Sequence, residues 1–361
     1  MKNKQVFNGF DNKTLGILGG GQLGRMIGLS AARVGVKVII MDPNKNSPAF
    51  QVANKVIICN FEDKEQLKNL ARSCDAVTYE FENIPLDSLK HISKYTKVYP
   101  GIYPLEISQD RLIEKTFLKN MNIKVAKFFS VNSKNDIFNA LSLLNGKGLL
   151  KTRKLGYDGK GQLRIESNKK EKTKVPKINK DIFILEELIA FNKEISVIVI
   201  RDLTGKIRCY EPCENAHKEG ILRETFFPAN VTNECKIKAK KIAKKIAKKL
   251  DIKGLLAVEM FVCDNDEIIV NEIAPRPHNS GHWTMDACNI SQFEALVRVI
   301  FKAPIPNLKY FFKCKMINLL GENYHFYKSS LNKQNYKLHL YGKKETKRKR
   351  KMGHINIISN S

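Results

Sequence analysis

Short apolar runs alternate with amphipathic stretches along the N-terminal part of the chain. Residues 14–18, 36–41, 55–59 and 76–80 read as strands, and helices are expected over about 25–34 and 64–72. This strand–helix–strand rhythm predicts a parallel sheet covered by helices. Between residues 100 and 115 the texture changes. Pro100, Pro104 and Gln109-Asp110-Arg111 mark a boundary, and 112–121 reads as a helix. A strand at 148–151 runs into a glycine-rich stretch, Gly156-Tyr157-Asp158-Gly159-Lys160-Gly161, and the polar segment 167–180 reads as a solvated loop. Strands are expected at 183–188 and 194–200. Ile237, Ile242, Ala243, Ile246, Ala247 and Leu250 recur at helical spacing with lysines on the opposite face, which predicts a helix over 234–250. A basic amphipathic helix can lie on a membrane, but the solvated face of an ordinary surface helix is the expectation. Residues 256–263 and 267–272 predict a hairpin turned at Asp264-Asn265-Asp266. Two further strands, 315–320 and 337–341, precede a basic run at 343–351.

A chain of 361 residues makes two domains, or three small ones. Its 43% hydrophobic content and mean hydropathy of -0.32 describe a globular protein and exclude wholesale disorder. No apolar run approaches the ~20 residues of a membrane helix. The N-terminus shows no signal-peptide pattern, so a cytoplasmic protein is expected. The net charge of +27 invites a nucleic-acid reading. Lysines outnumber arginines 50 to 13, however, and they are spread along the chain. Nucleic-acid readers lean on arginine, so no nucleic-acid partner is expected, and an acidic small substrate fits the charge as well. The eight cysteines include no CxxC pair and read as reduced thiols.

Gly19-x-Gly21-x-x-Gly24 follows the first strand and opens the first helix, and Asp42 ends the next strand 18 residues after Gly24. That is the dinucleotide fingerprint. Physically it states only that amides at a helix N-terminus can approach an anion closely. A nicotinamide or flavin dehydrogenase, a phosphorylated small molecule, and a tight turn with nothing bound all stay open on this loop alone.

Four downstream features do not belong to a dehydrogenase. Lys151 lies on a strand leading into the glycine loop with Asp158 and Lys160, a natural cover for a polyphosphate. The strand edge Leu185-Glu186-Glu187-Leu188-Ile189 can offer backbone groups to an adenine ring, with Glu194 placed for a ribose hydroxyl. Glu259 and Asn271-Glu272 occupy the two strands of the hairpin, and alternation can keep both carboxylates on one face. Two oxygen donors plus phosphate oxygens suit Mg²⁺, although a glutamate pair across a hairpin is more often solvated surface. Finally, the run from Ala274 to Trp283 is dense in donors for an anionic ligand. His278 and His282 have the spacing of a zinc site, but Pro275, Pro277 and Gly281 argue against the helix that it needs. The joint order carries the weight.

That order resembles the ATP-grasp superfamily, and within it the N5-carboxyaminoimidazole ribonucleotide synthases, the ATPase subunits of phosphoribosylaminoimidazole carboxylase. The resembling stretches are GILGGGQLGRM (16–26), TYEFENIP (78–85), KTRKLGYDGKGQ (151–162), HKEGILRET (217–225), NEIAPRPHNSGHWTMDAC (271–288) and KMGHIN (351–356). The resemblance implies an α/β fold, α+β in part. A Rossmann-like parallel-sheet domain would span 1–108, and an ATP-grasp domain 109–302 with a lid at about 125–188. A small C-terminal domain would span 303–361. It further implies carboxylation of 5-aminoimidazole ribonucleotide with ATP, Mg²⁺ and bicarbonate, through carboxyphosphate, in purine biosynthesis, by a homodimer without a membrane partner. Another ATP-grasp carboxylate–amine ligase or a formate-dependent transformylase is the alternative, disfavoured by Asn279-Ser280-Gly281-His282-Trp283.

By the same resemblance, ATP is expected at Arg111, Lys151, Gly156, Tyr157, Asp158, Gly159, Lys160, Gly161, Gln162, Glu186, Glu187, Leu188, Ile189, Glu194, His217, Asn271 and Glu272. Glu259 and Glu272 are the expected metal ligands. The ribonucleotide and bicarbonate are expected at Gly21, Gln22, Leu23, Glu82, Arg276, His278, Asn279, Ser280, Arg350 and Lys351. Tyr157, Arg276 and Lys351 are the expected catalytic residues. Two departures stand out. The family usually shows Arg-Pro-Gly-Arg-Lys-Met-Gly-His where this chain has Lys347-Arg348-Lys349-Arg350-Lys351-Met352-Gly353-His354. Related chains also continue beyond the point where this one stops at Ser361, so a trimmed C-terminal domain is expected.

Overall fold

The structure is a computed structural model that describes residues 7–156, 161–167 and 182–360. Tyr157, Asp158, Gly159 and Lys160, and the expected loop beyond Ser167, lie outside the described residues.

Five parallel strands open the chain: β1 (Thr14–Leu18), β2 (Lys37–Met41), β3 (Lys55–Ile57), β4 (Ala76–Tyr79) and β5 (Lys97–Tyr99). Their order is β3-β2-β1-β4-β5. The inner strands are covered on both faces, which explains their unbroken apolar runs. The chain reverses direction across the sheet between β1 and β4, and their C-terminal ends form the crevice where such sheets bind ligands. The first helix is Gln22–Arg33 and begins before the expected residue 25. Gly21 is extended and caps it, so Gln22, Leu23 and Gly24 form its first turn.

A four-stranded antiparallel sheet follows, β6 (Phe128–Val131), β7 (Lys147–Thr152), β8 (Gln162–Glu166) and β9 (Phe183–Glu186), in the order β6-β9-β7-β8. It has its own apolar core, built from Val131, Leu150, Ile165 and Leu185 against Ile137 and Leu141 of the helix Lys134–Leu143.

Nine strands form the central sheet. They are β10 (Lys193–Arg201), β11 (Ile207–Cys209), β12 (Cys213–Lys218), β13 (Ile221–Phe227), β14 (Gly254–Val262), β15 (Ile268–Ala274), β16 (Phe312–Leu320), β17 (Tyr336–Leu340) and β18 (Lys351–Asn360). The order is β15-β14-β10-β12-β13-β16-β18-β17, with β11 added to β10. The last three strands thus extend the central sheet through the β13–β16 pairing, Glu224 opposite Ile317 and Phe227 opposite Cys314. One core runs through the whole body, joining Leu15 and Ile27 to Ile198, Trp283, Phe293, Met316 and Tyr341.

The basic helix is Asn233–Lys249, capped by the Thr232 hydroxyl. Its buried stripe is Cys235, Ala239, Ala243, Ile246 and Ala247, packed on β10 and β14. Ile237, counted in the expected stripe, is exposed because it sits about 160° around the helix from Ala239's side of the repeat. No helix among the described residues is long and apolar enough to cross a membrane. Before β18, Lys349 stands where the family usually has glycine, and it takes a left-handed backbone with φ 65°. Its N–H donates to Glu322 at 2.7 Å and its ammonium pairs with Glu219 at 2.6 Å, which offsets part of that conformation's cost of about 1–2 kcal/mol.

Candidate active site

The hairpin β14–β15 places Glu259 directly opposite Glu272. A bulge follows, because Met260 pairs with Val270 and leaves Asn271 without a cross-strand partner. The main-chain oxygen of Asn271 instead accepts from Lys115 at 3.0 Å. Burial and the charge of Glu272 push the Glu259 carboxyl up. Glu272 is held down against its own burial by Arg111 and Lys151, and Arg111 reaches it at 3.3 Å. His278 brings its ring within 3.6 Å of Glu259, and one ligand atom from each of Glu259, Glu272 and His278 lies within 4.8 Å of the others.

Opposite the hairpin, β7 and β9 present Lys151 and Glu186. Glu186 takes Lys151 at 2.8 Å and Lys115 at 3.3 Å on one carboxylate oxygen. Burial alone would raise its pKa, but Lys115 and Lys151 outweigh it and hold the group down to about 2. Lys115 and Glu114 were not singled out in the sequence. Both are buried on the helix Arg111–Asn120. Glu114 accepts from the Ile273 N–H at 2.5 Å, and burial pushes it up to about 8 against the pull of Lys115. A second ion pair, Arg153 with Asp110 at 2.8 Å, braces the strand after Lys151 against that helix's cap. Arg111 also donates to the Gly156 carbonyl at 3.2 Å.

Most of these groups, though not Glu186, Lys115 or Asp110, line one cleft of 360 Å³. Its walls include Glu82, Arg111, Lys151, Gly156, Gln162, Glu194, His217, Glu259, Asn271, Glu272, Arg276, His278, Asn279 and Lys351 from the expected set. Glu194 and His217 pair with each other. Burial works against protonation of His217, but the Glu194 bond and the Glu259 charge outweigh it and raise its pKa. Arg276 pairs with Glu82 and donates to the Pro277 carbonyl at 2.8 Å. Gly21, Gln22, Leu23, Gly161, Ser280 and Arg350 are not among the lining residues, nor are Glu186, Glu187, Leu188 and Ile189. Gln22 touches the wall indirectly, donating to Asn279 at 3.4 Å and accepting from Lys343 at 2.9 Å. Arg350 donates to the Glu345 carbonyl, while Lys351 beside it is buried and faces the cleft.

The first glycine loop is filled from within. Glu80 accepts from the amides of Gly21 and Gly24, the latter at 2.7 Å. Asp42 accepts from Gly20 at 2.7 Å, Asn44 at 2.8 Å and the Ser47 hydroxyl at 2.8 Å. The amides of Gly20, Gly21 and Gly24 and the strand-end acid that the fingerprint reserves for a dinucleotide already have partners, which counts against the dehydrogenase reading.

Family models match the three regions in turn: a ribonucleotide synthetase preATP-grasp domain over 12–109, an ATP-grasp domain over 116–293, and a phosphoribosylaminoimidazole carboxylase C-terminal domain over 314–361. The N5-carboxyaminoimidazole ribonucleotide synthase of Brucella melitensis is 42% identical over 347 residues, covering 96% of each chain. The chain belongs to this family. The Bacillus subtilis synthase is 38% identical over 99% of this chain and 93% of its own. Among solved structures, the Staphylococcus aureus synthetase complexed with ADP superposes with a TM-score of 0.90 at 36% identity, covering 97% of this chain and 94% of that one. The Aspergillus clavatus synthase in complex with ADP and 5-aminoimidazole ribonucleotide matches with a TM-score of 0.90 at 29% identity, over 99% of this chain and 95% of that one. Family membership accounts for the architecture of the cleft, whose wall draws on all three matched regions: Glu82 from the first, Lys151 and Glu259 from the second, Lys351 from the third.

Proposed function

We propose that this cleft carboxylates 5-aminoimidazole ribonucleotide, consuming ATP and bicarbonate and releasing N5-carboxyaminoimidazole ribonucleotide, ADP and phosphate. The observation that carries the reading is the convergence of Arg111, Lys151, the Glu259–Glu272 pair, Arg276, His278 and Lys351 on one cavity. Such a set combines cations for a triphosphate and for a phosphorylated substrate with a carboxylate pair between them.

The chemistry explains the residue types. Bicarbonate is a poor electrophile. Its oxygen attacks the γ-phosphorus, ADP leaves, and carboxyphosphate forms with phosphate as its leaving group. The substrate amine then attacks the carbonyl carbon, phosphate departs, and the amine loses a proton. Phosphoryl transfer needs alignment and charge neutralisation more than covalent help. Arg111 and Lys151 would supply part of that charge, Glu194 would reach a ribose hydroxyl, and His217, paired with Glu194, would help to hold the nucleotide. Glu259 and Glu272 would hold Mg²⁺, which neutralises phosphate oxygens when bound. The fit is electrostatic: burial and then the facing Glu272 charge raise the pKa of Glu259, and a cation between the carboxylates would offset the repulsion between them. Arg276, Asn279 and Lys351 would hold the ribonucleotide and bicarbonate, with Tyr157 and Arg276 positioning the bicarbonate, and the labile intermediate needs shielding from water. Within the same reading the chain works as a homodimer in the cytoplasm, and sedimentation tests the dimer.

The deciding experiment measures ADP release with Mg²⁺ and bicarbonate, with and without the ribonucleotide. Release that rises with the ribonucleotide, with labelled bicarbonate trapped in an acid-labile carbamate, is the expected result. Folded protein that binds ATP but shows no stimulation overturns it.

A further inference from the structure

Behind His278 the fold buries a line of polar side chains that the reaction above leaves unused. Thr225 on β13 donates its hydroxyl to Asn215 Oδ1 on β12 at 3.1 Å. Asn215 Nδ2 donates to Ser196 Oγ on β10 at 3.0 Å. Ser196 Oγ donates to Ser280 Oγ at 2.7 Å, and Ser280 Oγ meets His278 Nδ1 at 2.8 Å. All five residues are buried.

The main-chain N–H of Ser280 also points at His278 Nδ1, at 3.3 Å. An amide N–H can only donate, so Nδ1 carries a lone pair and not a proton. The relay runs the same way. Ser280 Oγ receives from Ser196, which leaves its own proton for Nδ1. With Nδ1 an acceptor, the ring proton sits on Nε2. Nε2 faces the cleft, 3.6 Å from Glu259. By distance alone Glu259, Glu272 and His278 form a metal site. By proton placement His278 stands outside it, because a nitrogen that bears hydrogen offers no lone pair to a cation.

We propose that Ser196 and Asn215 are positioning residues that fix the Nε2–H tautomer of His278, so that this residue, expected at the substrate anion by resemblance, meets it as a donor. The proposal rests on the reading that an anionic substrate, bicarbonate or the ribonucleotide phosphate, occupies this cleft.

Long-range ¹H–¹⁵N correlation on protein labelled at histidine nitrogen reads the tautomer without any substrate, with His278 assigned by its loss in His278→Gln. A protonated Nε2 and a bare Nδ1 are expected; the reverse overturns the proposal. Two variants then separate donor from ligand. His278→Gln keeps an N–H near the Nε2 position, whereas His278→Glu offers only oxygen. The expected kcat of His278→Gln is within about tenfold of wild type, and that of His278→Glu falls about 10²–10³-fold, the loss seen when an oxyanion donor is removed. A His278→Glu enzyme as active as His278→Gln, with tighter Mn²⁺ binding, would make the residue a metal ligand and sink the idea. Ser196→Ala is expected to mix the two tautomers and lower kcat several-fold with KM for ATP unchanged. An unchanged spectrum and kcat would remove Ser196 from the relay. Wild-type protein with the expected tautomer but no ribonucleotide-stimulated ADP release would overturn the proposed reaction and not the donor.

Discussion

Glu186→Gln tests the electrostatics beneath the nucleotide cleft. One Glu186 oxygen serves Lys151 at 2.8 Å and Lys115 at 3.3 Å, and the three side chains are 3%, 8% and 2% exposed. Glutamine preserves the shape and removes the charge. Two buried ammonium groups then lose their shared counter-ion. Breaking a buried ion pair by removing one partner costs about 3–5 kcal/mol, which is roughly 10²–10⁴ in the folded-to-unfolded ratio. The pH dependence fixes the sign. Burial already lowers the Lys151 pKa while Glu186 opposes it, so removing Glu186 lowers it further. Between the folded and unfolded values the unfolded chain binds more protons, and stability rises with pH. The deficit of the variant is therefore greatest near pH 7 and shrinks toward pH 10. Urea unfolding followed through Trp283, the only tryptophan, at pH 7 and pH 9 measures both quantities. A deficit under about 1 kcal/mol, or one that ignores pH, would refute the reasoning.

Glu272→Gln is expected to raise the Mg²⁺ needed for half-maximal ADP release at least about tenfold and to lower kcat about 10²–10³-fold, read by a Mg²⁺ titration; an unshifted titration would free Glu272 from the metal. Burial and the nearby His339 hold His282 neutral well below the ordinary histidine range, so its unfolded form takes up a proton as pH falls below ~6.5 while the folded form does not. Wild type should then lose up to about 1.4 kcal/mol per pH unit relative to His282→Gln, and denaturation midpoints of both at pH 7.5 and pH 5.5 check it. Glu80→Ala should cost about 1–2 kcal/mol by stripping the acceptors from the first helix's amides, and inorganic phosphate should raise the Tm of that variant more than that of wild type, whose cationic cleft also takes phosphate. Equal phosphate responses would mean that the loop was open all along.

Much of the cleft was legible because its parts are local. Asp264-Asn265-Asp266 between two apolar runs announces a hairpin, but regular pairing from that turn would set Asn271 opposite Glu259, and the bulge at Asn271 is what brings Glu272 there. Lys115 is different. It follows Arg111 at i,i+4 on one helix face, a readable signal, but one lysine among fifty is conspicuous only once Glu186 arrives from another sheet. Ser196, Asn215 and Thr225 belong to three neighbouring antiparallel strands, and their alignment depends on sheet order that no short pattern encodes. Glu186 fell on the expected strand, yet its carboxylate turns toward two lysines and not into the cavity, a consequence of β7 and β9 pairing with Leu149 opposite Glu186. Ile237 was miscounted because a lysine-rich helix leaves few apolar positions to fix its phase.

Glu80 carries a lesson about motifs as information. The glycine pattern ends at Gly24, but whether those amides are vacant is decided 56 residues later in the chain. A side-chain carboxylate takes two of the amides that a diphosphate would take in a dinucleotide enzyme, and so fills part of a docking port from within. The three glycines therefore describe the bend of a backbone, and the choice of guest is recorded in a residue the pattern never mentions. Any scan that scores such a loop without asking what stands at the end of the neighbouring strand is counting sockets, not empty sockets.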